Sequence, residues 1–134
     1  MNLLITNIGR RSYFVNFLID LKKKKKNLKI FLADHDTGAA GMNIGNTIKL
    51  RIPLVSEGES KYFIALKRII SNFKIDLLIP CTNYDLNILS KKKKYFEEKK
   101  YILSVSSYRL IQKLLDKEKT YHLCKSHKIN IPKI

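Results

Sequence analysis

The sequence predicts an α/β domain: a mostly parallel, five-stranded sheet with helices on both faces. Two observations predict it. Five short apolar runs alternate with longer stretches whose apolar residues recur at helical spacing. Those runs are too continuously apolar to leave one face wet, which is the pattern of strands buried on both sides. Right-handed crossovers then place every strand-to-helix loop at one edge of the sheet. At 134 residues and 45% hydrophobic content the chain has the size of one domain with one core.

The first strand is Leu3 to Ile8, LLITNI, and Gly9 breaks it. Tyr13, Phe14, Phe17, Leu18 and Leu21 then form a helical stripe, with Lys22 to Lys26 in the last turn, where cations suit the helix dipole. Gly9, Arg10, Arg11 and Ser12 therefore sit where a strand ends and a helix begins. Free backbone N–H groups and the dipole favour an anion at such a place, and two arginines stand beside it. The plainer reading is a turn with solvated arginines.

Lys29 to Asp34 reads as the second strand, ending in Asp34-His35-Asp36. An acid at that position binds ribose in dinucleotide folds. The first turn, however, holds a single glycine and not G-x-G-x-x-G, which argues against NAD or FAD and leaves Asp34 an ordinary loop acid. His35 has no triad partner visible in the sequence. Thr37 to Asn46, with three of the five glycines, reads as a loop open to motion. A third strand, Thr47 to Ile52, is closed by Pro53. Ser56 and Glu59 have capping-box spacing before a helix that runs to about Phe73, with its stripe on Tyr62, Phe63, Leu66, Ile69, Ile70 and Phe73.

Ile75 to Pro80 is the fourth strand, and it delivers Cys81-Thr82-Asn83-Tyr84-Asp85 to the same edge as Gly9. A helix over Asp85 to Lys99 follows, with Asp85 as a candidate N-cap. Tyr101 to Val105 is the fifth strand. Ser106-Ser107 then caps a helix pair, Tyr108 to Leu115 and Lys117 to His127, interrupted near Asp116, and an extended tail closes the chain.

The charge is the most unusual number: 27 basic against 11 acidic residues, a net +16. A balance this basic raises nucleic acid as a partner. The lysine runs weaken that reading, because they fall at a helix end and along a helix with acids one turn on, without interleaved aromatics. No apolar run reaches membrane-spanning length, and no signal sequence is read; with two distant cysteines, Cys81 and Cys124, this fits a reducing cytoplasm. His122 and His127, five residues apart, diverge by about 140° on a straight helix, so with Cys124 they do not form a metal site. A nucleophile elbow, a P-loop and the acidic pair of a receiver domain are all missing.

Taken in order, LLITNIGRRSYFV, FLADHD, IDLLIP with CTNYDLNIL, and SSYRLIQKLLDKEKTYHLCKSHKINIPK resemble the amino-terminal, pre-ATP-grasp domain of ATP-grasp ligases. The resemblance is to carbamoyl-phosphate synthase large-subunit-like members and covers essentially the whole chain. It implies a Rossmann-like, three-layer domain over residues 1–127, with 128–134 starting a linker into a missing ATP-grasp portion, in the same or a separate chain. It also implies a complete enzyme that uses ATP and Mg2+ to activate a small carboxylate substrate as an acyl-phosphate for attack by an amine. In that frame Gly9, Arg10, Arg11 and Ser12 face substrate, Thr82, Asn83 and Asp85 form the neighbouring wall, and Lys117 is similar to a lysine that reaches ATP. No catalytic residue and no metal ligand is expected in this part, which alone is not a competent ligase. Asn83 and Asp85 stand where aspartate and glutamate are common, and Lys128 where a helix-ending glycine is usual. The competing expectations are a stand-alone anion-binding or regulatory module, and a basic protein associated with nucleic acid.

Overall fold

The computed structural model describes residues 1–132, so the end of the expected 128–134 linker lies outside the described residues. Five strands, β1 (Asn2–Thr6), β2 (Lys29–Asp34), β3 (Ile48–Arg51), β4 (Leu77–Pro80) and β5 (Ile102–Leu103), form one sheet in the order β3-β2-β1-β4-β5. Every pairing is parallel, with Leu4 opposite Phe31 and Leu78 in the centre. The helices are α1 (Ser12–Lys24), α2 (Glu59–Asn72), α3 (Asn83–Lys91), α4 (Lys93–Glu98), α5 (Tyr108–Leu114) and α6 (Lys117–Ser126).

Alternation along the central strands divides the core into two. Leu3, Ile5, Ile30 and Leu32 face α1, burying Val15 and Leu18. Leu4, Phe31, Ala33 and Leu78 face the other way, against Tyr62, Leu66 and Ile70 of α2, Ile88 and Leu89 of α3 and Phe96 of α4. A strand's period of two thus supplies both layers. No helix among the described residues is long and apolar enough to cross a membrane.

Several boundaries differ from expectation for identifiable reasons. The predicted Asp85 to Lys99 helix is two helices, α3 and α4, broken at Lys92 (φ −98°, ψ 9°), and the break lets Phe96 reach the core, where it is fully buried. Ser56 does not cap α2. A 3-10 turn spans Val55–Glu57, Leu54 N–H donates to the Glu57 carboxylate (3.0 Å), and α2 starts from Gly58. Ser107 and Asp116 do cap α5 and α6, accepting from Leu110 N–H (3.4 Å) and Lys119 N–H (3.0 Å). Lys74, Lys100 and Lys128 hold left-handed φ values of 49°, 59° and 55° just past α2, α4 and α6. Each closes its helix with the next residue's N–H on a carbonyl five positions back: Ile75 on Ile70, Tyr101 on Phe96, Ile129 on Cys124. Lysine thus does at three ends what glycine usually does.

The glycine-rich stretch after β2 is packed, not loose. A 3-10 turn over Ala40–Asn43 buries Met42 completely, and Gly41 N–H donates to the Gly9 carbonyl at 2.8 Å. A Cβ at Gly41 would lie 2.8 Å from that oxygen and 2.9 Å from Ile8 Cγ1. Gly41→Ala must therefore push the β1–α1 loop aside, and urea denaturation should register a loss of about 1–3 kcal/mol, the usual range for overpacking. Unchanged stability would mean that the contact is soft.

Candidate functional site

The strand order reverses between β1 and β4, and at that switch point a cavity of about 340 Å3 opens over the carboxyl ends of the strands. The loop after β1 contributes Asn7, Gly9 and Arg11. Asp34 and His35 come from the end of β2, Leu54, Val55 and Ser56 from beyond β3, and Thr82 and Tyr84 from beyond β4. One wall is apolar, one side carries the Arg11 guanidinium, and hydroxyls stand at Ser56 and Thr82.

Two buried carboxylates hold the loop that shapes this cavity. Asp34, 2% exposed, accepts Gly9 N–H at 2.9 Å and Asp36 N–H at 3.1 Å, and lies 3.0 Å from His35 Nδ1. Asp85, fully buried on α3, accepts the Thr6 hydroxyl at 3.0 Å, the Tyr62 hydroxyl at 3.0 Å and the Asn7 amide. Thr82, the α3 N-cap, in turn accepts Asp85 N–H at 3.3 Å. Between these anchors the backbone turns left-handed twice, at Asn7 (φ 50°) and Gly9 (φ 54°). Asparagine and glycine are the residues that tolerate this conformation best.

This arrangement changes the reading of several residues. Gly9 N–H is occupied by Asp34, Arg11 N–H by the Ile8 carbonyl (3.1 Å) and Ser12 N–H by the Arg10 carbonyl (2.9 Å). The expected cradle of free amides is thus largely spent within the loop, and the Arg11 side chain is the cation left at the cavity. Its Nη1 lies 3.5 Å and 3.4 Å from the Asn7 and Ile8 carbonyls. Asp34 is neither an unadorned loop acid nor exposed to a ribose. Asp85 is not the N-cap and not a wall of the cavity; it lies behind Thr82 as an internal acceptor.

Of the residues expected to face substrate, the structure gathers Gly9, Arg11 and Thr82 around the cavity. Arg10 is exposed, Ser12 opens α1, and Asn83 is exposed at the start of α3, all outside the lining. Lys117 is exposed at the start of α6, a helix that packs on α5. Sequence reasoning missed Asn7, His35, the Leu54-Val55-Ser56 turn and Tyr84. Only the Asp-His-Asp string at the end of β2 offered a signal.

Burial raises the Asp85 pKa, against the pull of its hydrogen bonds from Asn7, Thr6, Tyr62 and Thr82. Burial, and then the Asp85 charge, hold the Tyr62 hydroxyl protonated. Burial also lifts the Cys81 thiol to about 11, with Arg11 pulling the other way. Among the described residues one buried side-chain acceptor, Asn7 Oδ1, has no partner.

An open, all-parallel α/β sheet with a cavity at its switch point defines a domain of the doubly wound class. Residues 3–104 match the family described as the PylC-like, N-terminal domain, and the chain belongs to it. Solved structures with the same fold include the L-amino acid ligase from Bacillus licheniformis (TM-score 0.64, 15% identity, 98% of this chain and 31% of that one). Glycinamide-RNase-transformylase T from Mycobacterium tuberculosis (0.60, 12%, 95% and 35%) and the biotin carboxylase subunit of a pyruvate carboxylase (0.61, 13%, 97% and 28%) are similar as well. The chain thus spans about a third of the length of these proteins. No curated protein matches it in sequence.

The raised Asp85 pKa means that the folded protein holds this proton more tightly than the unfolded chain. Unfolding free energy therefore falls as pH rises from the ordinary value of 3.8 through the raised one. Asp85→Asn should abolish that segment of the pH dependence in urea denaturation series. Asp85→Ala, which strands three donors, should cost about 3 kcal/mol. An identical slope in wild type and Asp85→Asn would remove Asp85 as its source.

Proposed function

We propose that this chain is the amino-terminal substrate domain of an ATP-dependent carboxylate–amine ligase of the ATP-grasp type. The observation that carries the proposal is the cavity at the switch point, in a domain of the PylC-like family, with one guanidinium beside an otherwise apolar wall. A planar guanidinium binds a carboxylate through two parallel hydrogen bonds, and Arg11 is the cation of the lining. Thr82 Oγ1 accepts Asp85 N–H, which fixes this hydroxyl at the edge of the cavity. Leu54, Val55 and Tyr84 supply the apolar wall. Nothing in the likenesses singles out carbamoyl-phosphate synthase.

In the complete enzyme ATP would supply the phosphoryl group that turns the carboxylate into an acyl-phosphate, a mixed anhydride from which phosphate can leave. Lys117, exposed at the start of α6, is this chain's candidate for contact with nucleotide phosphate. Among the described residues no group of three or more His, Cys, Asp or Glu could hold a metal ion. The two acids at the cavity end are committed to internal donors. Metal ligands belong to the remainder of the enzyme, joined to this domain or supplied by a partner chain.

The second reading, a stand-alone module that binds a small anion, uses the same cavity. Carboxylate binding by this chain without ATP turnover in the complete protein would favour it. Arg11→Ala in the complete protein should raise the KM for the carboxylate roughly 10- to 100-fold, the loss of a charged hydrogen bond. Arg10→Ala, outside the cavity, should leave it within about twofold, as surface substitutions do. Steady-state ADP release checks both, and equal effects of the two changes would contradict the assignment.

A further inference from the structure

We propose that the edge of the sheet opposite the cavity, where the strands begin, binds the phosphate backbone of a duplex nucleic acid without regard to base sequence. In an all-parallel sheet the crossover helices run back against the strands. The ends of α1, α2 and α4 therefore return to this edge just before β2, β4 and β5. Each of these ends carries lysine. Lys24, Lys25 and Lys26 close α1 and Lys29 opens β2, while Lys74 follows α2 and Lys99 and Lys100 follow α4; all are exposed.

Hydrogen bonds hold these ends side by side. Lys29 N–H donates to the Met1 carbonyl at 2.9 Å, and the Asn2 side-chain amide donates to the Phe73 and Lys74 carbonyls at 2.8 Å and 3.1 Å. Asp76 N–H donates to the Asn2 carbonyl (2.9 Å) and Ile102 N–H to the Asp76 carbonyl (3.0 Å). The starts of β2, β1, β4 and β5 thus form one row, about 14 Å across at the usual strand spacing. Lys74, Lys99 and Lys100 rim a hollow of about 380 Å3 at the start of β4 and β5. Lysine runs that look like separate helix ends in the sequence are one face in the fold.

Most of that charge is unspent. Among the described residues the ion pairs nearest this face are Lys23 with Asp20 (2.8 Å) and Lys94 with Glu98 (3.8 Å), and neither involves a lysine of the row. The Asp76 carboxylate accepts Asn2 N–H at 2.7 Å, and Glu97 is the other acid close by. The helix dipole favours cations within the last turn, but Lys26 and Lys29 lie beyond α1.

The make-up of the face selects the partner. None of the chain's arginines, at positions 10, 11, 51, 68 and 109, falls in the row. Protein interfaces are poor in lysine and rich in arginine and aromatics, and a second copy of this chain would bring the same charge. Lysine is a point charge that meets a phosphate from any direction. The exposed large apolar side chains here are Met1 (54%) and Ile102 (61%), with no exposed aromatic among the described residues of the row. Single-strand readers stack bases on aromatics, and membrane-surface helices bury a Trp, Phe or Leu face. A duplex turns its phosphates outward and asks only for charge.

The test is fluorescence anisotropy of labelled duplex DNA and duplex RNA of mixed sequence, titrated with the complete protein across salt. Affinity should fall about 250-fold between about 50 and 200 mM salt, a log–log slope near −4, as four to five phosphate contacts give. One triple change is Lys25→Gln, Lys26→Gln and Lys29→Gln. Another is Lys74→Asn, Lys99→Gln and Lys100→Asn, with asparagine to keep the left-handed backbone. Each triple should lower the slope by about 2 and the low-salt affinity by about 10-fold or more. Arg10→Gln, Arg51→Gln and Lys61→Gln, at the cavity edge, remove as much charge and should stay within about threefold. Equal losses in all three triples would overturn the proposal, since net charge would then act without a face. Binding to neither duplex at low salt would also overturn it, whether or not single strands or vesicles of phosphatidylserine and phosphatidylcholine bind. Binding to either duplex through this face supports it, and the tighter of the two names the source of the phosphates. In the wild-type protein, added duplex should shift the amide NMR signals of Lys25, Lys29, Lys74 and Lys100 and leave those of Gly9 and Tyr84 in place. The reverse pattern would contradict the assignment whatever the variants do.

Discussion

Two buried carboxylates, Asp34 and Asp85, hold the end of β1 from opposite sides, and the geometry of the cavity depends on them. Asp85 ties Thr6 and Asn7 to α2 and α3 through Tyr62 and its own helix. Asp34 ties Gly9 to the end of β2. Burying a carboxylate costs free energy unless its oxygens are supplied with donors, and here each oxygen is. The cost is offset by donors that the loop itself must present, so the loop has one conformation in which both acids are satisfied. Asn7 and Gly9 in left-handed backbone, and Gly41 clamping the Gly9 carbonyl, complete that constraint.

This explains why the polar groups that an isolated strand–helix turn would offer a ligand are not the ones this cavity offers. Backbone amides that would cradle an anion are consumed in holding the loop. What lines the cavity for a ligand is carried by side chains: the Arg11 guanidinium, the Thr82 and Ser56 hydroxyls and the His35 imidazole. Much of the large positive charge is sited at helix ends. Lysines fill the last turn of α1 and the left-handed positions after α2, α4 and α6, where the helix dipole favours cations. Others pair with acids, as Lys91 does with Glu59 at 3.0 Å.

The sheet was legible in the sequence because its central strands are buried on both faces, and an unbroken apolar run has few alternatives. β2, with Ile30 to Asp34 all buried, is the clearest case. The edges were less legible. β5 was expected over Tyr101 to Val105 but spans Ile102–Leu103, since it pairs on one side only and Ile102 is 61% exposed. The break at Lys92 left no local mark, because lysines are good helix formers and the cause is the distant pocket that takes Phe96. At the cavity, Gly9, Arg11 and Thr82 could be placed from strand ends alone. The roles of Asp85 and Asp34 could not, because Tyr62 and Thr6 meet Asp85 across 23 and 79 positions, and Asp34 meets Gly9 across 25. Spacing reports which edge a residue reaches, not which of its atoms are already engaged there.

The account stands most directly on the fixed loop, and hydrogen exchange at the Gly9 and Gly41 amides tests it. Both amides are bonded inside the fold, to the Asp34 carboxylate and the Gly9 carbonyl. They should exchange at rates close to those of the buried strand amides of β1, and Asp34→Ala should speed Gly9 to the rate of an open loop. Rapid exchange at Gly9 in the wild-type protein would contradict the account, because the cavity would then be shaped by a loop that two carboxylates do not hold.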